Sequence, residues 1–224
     1  MIKKTQEYII GIDADISKIG VAITEYNDKE LIESYKLTSK LKGFNRTINL
    51  IEQLKSIIEK YHNEKQNSKI KFGVIEDHGF VFMARSQALK GEILGCVKFL
   101  LYSNEIPFLK WISRTKKKGK QYESECMVIP TQLIKFIFGT SRISSKGKSS
   151  QLMLETWKKT KCEFKTDDEC DAFWLTIIGI FYCLSKNNEI QNTIKLKNGK
   201  VISLTIKQKE PLEKWIKNSL EYGI

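Results

Sequence analysis

The sequence has few of the residues that zinc sites and membrane proteins require. Its 224 residues hold five cysteines with no CxxC pair and two histidines far from most of them, which excludes the usual zinc-ligand spacing and favours reduced, intracellular thiols. The first residues contain no apolar run long enough for a signal peptide, and the longest apolar run, 172–184, is too short to cross a membrane. We therefore expect a cytoplasmic protein in a reducing compartment, with no membrane partner.

Acidic residues are also few relative to basic ones. Lys and Arg together number 38 against 26 Asp and Glu, a net charge of +12, and only four of the basic residues are arginines. Such an excess favours a polyanionic partner, above all nucleic acid, over a charge that serves solubility alone. With 41% hydrophobic residues, the chain is expected to form one domain with decorations.

The periodicity of the apolar residues predicts an α/β domain. A strand that is apolar on both faces comes first, and two alternating, β-rich segments follow it. Helical spacing then begins with Phe44, Ile48, Ile51, Leu54, Ile58 and Tyr61. Period two returns at 69–77, a second helix follows, and 106–113 supplies a fifth strand. This order indicates a mixed β-sheet of about five strands flanked by helices, in a domain of residues 1–186.

Other segments decorate this domain. Residues 114–125 are polar and strongly basic, and are predicted to be an exposed loop that touches phosphates or is merely a solvated linker. Residues 129–139 suggest a short helix. The extension 187–224 alternates around Asn198-Gly199, a strong hairpin signal, and closes with a predicted helix over 210–222. It is expected to be an appendage, because neither of its parts has enough apolar residues for its own core.

An acidic stretch at 166–171 combines a helix start with inward carboxylates. Thr166 and Glu169 form a capping-box pattern, so the helix is predicted to begin at Asp167, which faces solvent. Asp168 and Asp171 continue at helical spacing into an apolar stripe and therefore point inward or toward a cleft. An inward carboxylate is costly unless it is paired or binds a cation, and for Asp171 we favour a cation.

Two further carboxylates continue the apolar faces of strands. Asp13 follows Ile9 and Gly11 at period two, and Glu76 follows Phe72 and Val74 in the same way. Each alone would be an ordinary polar residue at a strand end. Together with the two helix acids they could form an all-oxygen site for hard divalent cations. Two such cations about 4 Å apart can activate a water molecule and stabilise the leaving oxygen when a phosphodiester is cleaved.

This ordered set of motifs resembles the RuvC family of Holliday-junction resolvases, within the RNase H-like nucleases. The matching pieces lie within residues 8–185 and are GIDADISKIGVAI, GVIEDHGFVFMARSQALKGEILG, PTQLIKFIFG followed by SSKGKSSQ, and DDECDAFWL. The resemblance implies an RNase H-like fold and a homodimer that nicks opposed strands of a branched DNA, the four-way junction. It implies Mg²⁺ as the cofactor, two ions in number, with Mn²⁺ as a possible substitute.

The resemblance also implies roles for particular residues. It makes Asp13, Glu76, Asp168 and Asp171 the metal-binding catalytic acids. Lys148, or alternatively Lys146, matches the family's active-site lysine, which would stabilise charge on the transferring phosphate. The residues expected to bind DNA are Phe80, Phe82, Arg85, Arg114, Lys116, Lys117, Lys118, Lys120, Lys146 and Lys148.

The sequence departs from the family's pattern at several points. Pro-Gly usually follows the first acid, whereas this chain has Ala14 and Asp15, so Asp15 is open as a further metal ligand. A glycine stands where many members carry an aromatic residue, which leaves Phe80 or Phe82 as the candidate for a base-wedging side chain. His78 could bind metal or transfer a proton, but a partly exposed histidine at a strand end is the favoured interpretation.

The predicted function is a magnesium-dependent, structure-selective DNA endonuclease that resolves Holliday junctions by paired symmetric nicks, in recombination, repair or phage DNA processing. One alternative is another RNase H-like nuclease that acts on other branched DNA or on RNA. An actin-like or sugar-kinase-type ATPase is a second, but the chain is short for two such lobes and lacks a later glycine-rich nucleotide segment. A junction-binding protein without catalysis is a third; four spaced acids speak against it, because acids repel phosphate unless a metal intervenes.

Overall fold

The structure, a computed structural model, describes residues 5–63, 66–77, 84–117, 120–126, 129–130, 148–186, 193–217 and 219–222. Its strands are β1 Gln6–Asp15, β2 Lys18–Glu25, β3 Leu31–Thr38, β4 Ser68–Asp77, β5 Phe108–Lys117, β6 Lys120–Cys126, β7 Ile129–Pro130, β8 Thr193–Lys195, β9 Val201–Ser203 and β10 Ser219–Tyr222. Its helices are α1 Phe44–Tyr61, α2 Ala84–Ser103, α3 Lys148–Thr160, α4 Asp167–Lys186 and α5 Ile206–Lys217.

The five predicted strands form the centre of a mixed sheet. The order is β3-β2-β1-β4-β5, with β10 beyond β5, and β6 and β7 pair with β5 and β4. β1, β2 and β3 are antiparallel neighbours, whereas β4 is parallel to both β1 and β5. Parallel neighbours need a crossover connection, and the helices α1 and α2 supply it before and after β4. The predicted α/β architecture is therefore confirmed.

The sheet separates two apolar layers. Residues of α1 and α2 pack against one face in a cluster that includes Leu54 and Val97. On the other face α4 packs against β1, β2 and β4, and Trp174 and Ile178 are among its fully buried residues. Helix α4 is buried along nearly its whole length, and this burial explains why its sequence is a nearly continuous apolar run. The run is that of a central helix, as predicted. No helix in the described part of the chain could span a membrane.

The apolar face predicted for α1 is partly wrong. Phe44 and Ile48 are exposed, while Leu50 and Ile57 are buried in their place alongside Leu54. The buried face of α1 is rotated toward Leu50 and Ile57 because α1 packs on both β4 and α2. The spacing of apolar residues within α1 does not predict this packing.

The basic segment 114–125 was predicted to be a loop, and this prediction is wrong for its described backbone. Residues of β5 and β6 pair antiparallel from Trp111 with Cys126 to Lys117 with Lys120, which makes the segment a β-hairpin. Its sequence contains Tyr, Thr and Ser at alternating positions, which suits a pleated strand even where lysines raise the charge. The predicted short helix over 129–139 lies outside the described residues except for β7.

The C-terminal extension joins the main fold. The hairpin of β8 and β9 forms as predicted, and its Ile194 and Ile202 are buried in the same cluster as α4, together with Leu212 of α5. The helix predicted over 210–222 instead ends at Lys217, and Ser219–Tyr222 pair with Phe108–Trp111 of β5. Pairing with an open sheet edge here outweighs local helical propensity. The boundary at residue 187 between domain and extension stays a prediction.

Candidate functional site

Two buried carboxylates lie at the carboxyl ends of adjacent parallel strands. Ile12 of β1 is in register with Ile75 of β4, so the next residues, Asp13 and Glu76, lie side by side near the carboxyl ends of the two strands. Their exposed fractions are 6% and 3%. Since the carboxyl ends of parallel strands meet at one edge of a sheet, the strand pairing alone brings these two acids together, as predicted.

The third carboxylate comes from the start of α4. Thr166 caps the helix as predicted: Glu169 N–H donates to Thr166 Oγ1 (3.4 Å). The reciprocal contact joins the two side chains, because the Thr166 hydroxyl donates to Glu169 Oε2 (3.0 Å). The Lys165 backbone N–H also donates to Glu169 Oε2 (3.1 Å). The helix begins at Asp167 as expected, which places half-buried Asp171 on the side that faces the sheet.

Glycines allow α4 to approach the sheet closely. A Cβ on Gly11 of β1 would lie 2.0 Å from the backbone oxygen of Ala172, and a Cβ on Gly20 of β2 would lie 2.2 Å from the backbone oxygen of Asp168. Any side chain at either position would push the first turns of the helix outward. These two positions therefore set how near the helix acids come to the strand acids.

The result is a group of three carboxylates. One ligand oxygen from each of Asp13, Glu76 and Asp171 lies within 4.8 Å of the others. Oxygens that bind one Mg²⁺ or Ca²⁺ at about 2.1–2.5 Å lie no farther apart than about 5 Å, so this spacing fits a common ion. An all-carboxylate set selects a hard divalent cation over the softer metals. Burying three negative charges close together costs free energy unless a positive charge compensates them. The residues present therefore fit a metal ion.

Asp168 does not belong to this group. Its carboxylate is buried and pairs with two lysines, Lys18 Nζ at 2.5 Å from Oδ1 and Lys36 Nζ at 3.3 Å from Oδ2. Burial by itself would lower the pKa of Lys18, but the hydrogen bond to Asp168 and the charges of Asp168, Asp167 and Asp13 together raise that pKa above its ordinary value. Lys18 is therefore held in its charged form. The role of Asp168 as a fourth metal ligand stays a prediction.

Asp15 lies at the margin of the site. It ends β1, opposite Lys18 of β2, and its Oδ1 is 3.6 Å from Nζ of Lys90 in α2. It is not in the group of three, and any part in metal binding stays a prediction. His78 lies outside the described residues.

Most of the residues predicted to bind DNA are described only as backbone or not at all. Arg85 lies in the first turn of α2, Arg114, Lys116 and Lys117 in β5, Lys120 at the start of β6 and Lys148 at the start of α3. The others, Phe80, Phe82, Lys118 and Lys146, lie outside the described residues. Their roles stay predictions.

Sequence reasoning missed the lysines around the acids. Lys18, Lys36 and Lys90 come from β2, β3 and α2, and each pairs with an acid at or beside the site. The short connection from Asp15 to Lys18 could have suggested that these two face each other across a turn. Nothing local could have placed Lys36 beside Asp168, because that contact joins residues more than a hundred positions apart.

Comparisons with known proteins place the fold. No family model matches the chain, and no curated protein matches it in sequence. Among solved structures, a RuvC from T. thermophilus in complex with a Holliday junction substrate superposes with a TM-score of 0.56 at 11% identity, over 88% of this chain and 99% of that one. A second Thermus thermophilus RuvC structure gives 0.52 at 11% identity, over 81% and 97%. The chain therefore has an RNase H-like fold similar to that of RuvC.

Proposed function

We propose that this protein is a divalent-metal-dependent nuclease that hydrolyses phosphodiester bonds in branched DNA, with the four-way junction as its substrate. The observation that carries the proposal is the convergence of Asp13, Glu76 and Asp171 from two strands and a helix. The RuvC with a similar fold is described in complex with a Holliday junction, which supports this substrate class over an unbranched duplex.

The three carboxylates define what the chain contributes to the reaction. Asp13 and Glu76 are positioned by the sheet, because each is buried near the end of a paired strand. Asp171 is fixed by the docking of α4 on Gly11 and Gly20. When bound here, Mg²⁺ would lower the pKa of a water molecule and stabilise charge on the scissile phosphate. Two ions are proposed, with Mn²⁺ as a substitute.

The surrounding charge suits a nucleic-acid substrate. The whole chain carries +12, and lysines from three separate elements pair with Asp168 and Asp15, which lie beside the three acids. A polyanion is attracted to such a surface without base-specific contacts, which is the behaviour required of an enzyme that recognises the shape of a junction. The basic strands β5 and β6, with Arg114, Lys116, Lys117 and Lys120, are proposed to contact strands away from the cut, and Lys148 to contact the phosphate.

The proposal includes a homodimer that acts inside the cell. Two sites related by two-fold symmetry would match the two-fold symmetry of a four-way junction and place one cut on each of two opposed strands. Light scattering of the protein with and without junction tests the stoichiometry. Paired nicks at symmetric positions are the expected product, and a single nick at one arm would contradict the dimeric arrangement.

A cleavage assay tests the nuclease directly. Labelled four-way junction, replication fork, linear duplex and RNA–DNA hybrid are each incubated with Mg²⁺ or with EDTA. We expect magnesium-dependent cleavage of the junction first, and a loss of at least about a hundredfold in rate for Asp13→Asn with junction binding retained. Asp28→Asn is the matched control, because Asp28 is an exposed acid whose carboxylate pairs with the surface lysine Lys197. Full cleavage by Asp13→Asn would contradict the proposal. Faster cleavage of the RNA–DNA hybrid than of the junction would indicate that RNA is the substrate.

A further inference from the structure

We propose that an exposed surface at the start of α1 binds an unpaired segment of the DNA, with Phe44 stacked on a base and the neighbouring lysines on phosphates. We call it the α1 entry surface; it consists of Lys40, Leu41, Lys42, Phe44, Arg46 and Ile48. The inference rests on the branched-DNA substrate of the proposed function, which it deepens by naming where that substrate is held away from the cut.

Three apolar side chains of the α1 entry surface face solvent. Leu41, Phe44 and Ile48 are 48%, 61% and 41% exposed. Phe44 and Ile48 are four residues apart and therefore share one face of the helix, and Leu41 lies in the loop that leads into it. Single exposed apolar residues are ordinary on protein surfaces, whereas several on one face are typical of an interaction site.

Hydrogen bonds close the loop that carries Leu41. The Leu41 N–H donates to Ser39 Oγ (3.2 Å), and Arg46 Nε donates to the Leu41 carbonyl oxygen (3.0 Å). Gly43 has a φ of 57°, which favours glycine, and the Arg46 N–H donates to its carbonyl oxygen (3.0 Å). The exposed side chains therefore project from a loop that is bonded to the first turn of α1.

The charge around these apolar residues favours an anionic partner. Residues 38–51 contain three basic side chains and no acid. Lys40 and Lys42 are exposed, and no acid pairs with either of them within the described residues, whereas Lys55 of the same helix pairs with Glu59. A nucleotide combines an apolar base with an anionic phosphate, and it therefore complements apolar side chains that lie among cations.

A second copy of this chain fits the α1 entry surface less well. A two-fold interface brings the same surface of both protomers together. Three cations of one protomer would then face three cations of the other, with no acid in residues 38–51 of either to compensate them. Like charges placed opposite each other disfavour such a contact, so nucleic acid is the better partner.

An unpaired strand suits this surface better than the outside of a duplex. A duplex turns its phosphates and sugars outward and stacks its bases inside, so it offers little to the exposed rings and alkyl groups. Unpaired bases expose their faces, and aromatic side chains in basic surroundings stack on them. The branch point of a junction or a fork, where pairing is interrupted, is the part of the substrate that offers such bases.

The α1 entry surface lies at the same end of the sheet as the acids. Thr38, the last residue of β3, pairs with Lys18 of β2, which in turn pairs with Asp15 of β1. The chain leaves β3 there, two strand spacings or about 10 Å from β1, and enters α1 on the face opposite to α4. At about 3.4 Å per stacked nucleotide, a strand spans this distance in about three nucleotides. A strand cut at the acids can therefore cross the ends of β2 and β3 to reach Phe44.

Binding measured by fluorescence anisotropy tests Phe44. The labelled probes are a four-way junction, a fork with single-stranded arms and a linear duplex, each in Ca²⁺ in place of Mg²⁺. Phe44→Ala should bind the fork and the junction at least about fivefold more weakly and the duplex within about twofold, whereas Phe44→Tyr, which keeps the ring, should bind all three normally.

Phe99→Ala is the matched control for Phe44→Ala. Phe99 is 71% exposed and lies in the last turns of α2. Because α2 connects the parallel strands β4 and β5, its last turns lie at the opposite end of the sheet from the acids. Equal affinities of Phe44→Ala, Phe99→Ala and the unchanged protein for the fork would overturn the inference.

A fluorescent base tests the stacking itself. 2-Aminopurine is placed in turn at each unpaired position around the branch point of the fork, and its fluorescence is quenched when it stacks on an aromatic ring. We expect at least one position that is quenched on binding of the unchanged protein and of Phe44→Tyr but not of Phe44→Ala. If no position distinguishes Phe44→Ala from the unchanged protein, Phe44 does not stack on a base and the inference is wrong.

The salt dependence of fork binding tests the lysines. The double variant Lys40→Met, Lys42→Met should show a slope of log affinity against log salt about 1.5 units shallower, because it removes two phosphate contacts. Lys55→Met, Lys69→Met is the control: it removes the same charge from two exposed lysines outside this surface and should leave the slope unchanged. Equal slopes for the two double variants would contradict the assignment of Lys40 and Lys42.

Further outcomes separate this inference from its rivals and from the proposed function. Phe44, Lys40 and Lys42 are exposed, so their variants are expected to fold. A change in the oligomeric state of free Phe44→Ala, measured by light scattering, would make the surface a contact between protomers and refute the inference. Cleavage by the unchanged protein with unaltered binding by Phe44→Ala would refute this inference alone. Weaker fork binding by Phe44→Ala without any metal-dependent cleavage by the unchanged protein would refute the nuclease and support the surface.

Discussion

Replacing Gly11 by alanine should move Asp171 of α4 away from the strand acids Asp13 and Glu76. The new Cβ would lie 2.0 Å from the backbone oxygen of Ala172, and real Cβ atoms essentially never come within 3.0 Å of another atom. The contact is with the backbone of a helix, so no side chain can swing aside to relieve it. Helix α4 must therefore retreat by about 1 Å or the strand must bend, at a cost of about 3 kcal/mol, the upper end of what overpacking usually costs.

The same displacement should weaken metal binding. Asp171 precedes Ala172, and its oxygen lies within 4.8 Å of those of Asp13 and Glu76, near the limit at which three oxygens can share one ion. A shift of about 1 Å exceeds the tolerance of a hard-cation site. We expect Mn²⁺ affinity to fall by at least about tenfold in whatever fraction of the variant remains folded.

Three glycine-to-alanine variants give a graded measurement of this effect. Urea denaturation should rank Gly11→Ala as the least stable and Gly179→Ala as intermediate, because a Cβ on Gly179 meets only the side chains of Ile9 and Val74, at 2.9 and 3.0 Å. Gly91→Ala should be more stable than the unchanged protein by about 0.5–1 kcal/mol, since it lies in an exposed helix position with open space around it. The reasoning fails if Gly11→Ala unfolds within about 1 kcal/mol of the unchanged protein and binds Mn²⁺ normally.

Two further predictions concern the packing of α3 on α4. Thr156→Val should cost about 1–3 kcal/mol in urea denaturation, because Trp174 Nε1–H donates to the buried Thr156 hydroxyl (2.9 Å), whereas Thr193→Val on an exposed strand should be nearly neutral. Burial raises the pKa of the Cys170 thiol to about 12, so peptide mapping after iodoacetamide treatment at pH 8.5 should find Cys170 unmodified in the folded protein. Because this pKa is raised above its ordinary value near 9, the thiol's contribution to stability is present below pH 9 and is lost as the pH rises toward 12; a stability that stays constant over that range would contradict it.

Local sequence patterns were sufficient where the physics is local. The capping box at Thr166 and Glu169 needs only residues three apart, and it placed the start of α4 and the inward side of Asp171 correctly. Period-two patterning identified β1 and β4 and their terminal acids for the same reason. The hairpin at Asn198-Gly199 is set by the turn residues themselves.

Local patterns failed where a distant partner decides the outcome. Ser219–Tyr222 could have continued a helix, but they form a strand because β5 offers an unpaired edge. The lysines of 114–120 suggested a loop, but the backbones of β5 and β6 pair with each other from Trp111 with Cys126 to Lys117 with Lys120, a contact that the charge pattern does not reveal. Phe44 and Ile48 fitted a helical stripe, but the position of α2 turned α1 so that they are exposed.

The sequence by itself indicated the α/β architecture and a set of four acids expected to lie near one another, because apolar period, helix start and strand-end position follow from neighbouring residues. Only the tertiary structure decided which acids meet. Asp168 and Asp171 look alike along the chain, yet the docking of α4 over Gly20 carries Asp168 to Lys18 and Lys36 and leaves Asp171 beside Asp13 and Glu76. That division depends on lysines contributed by two other strands, whose distances from Asp168 no local pattern encodes.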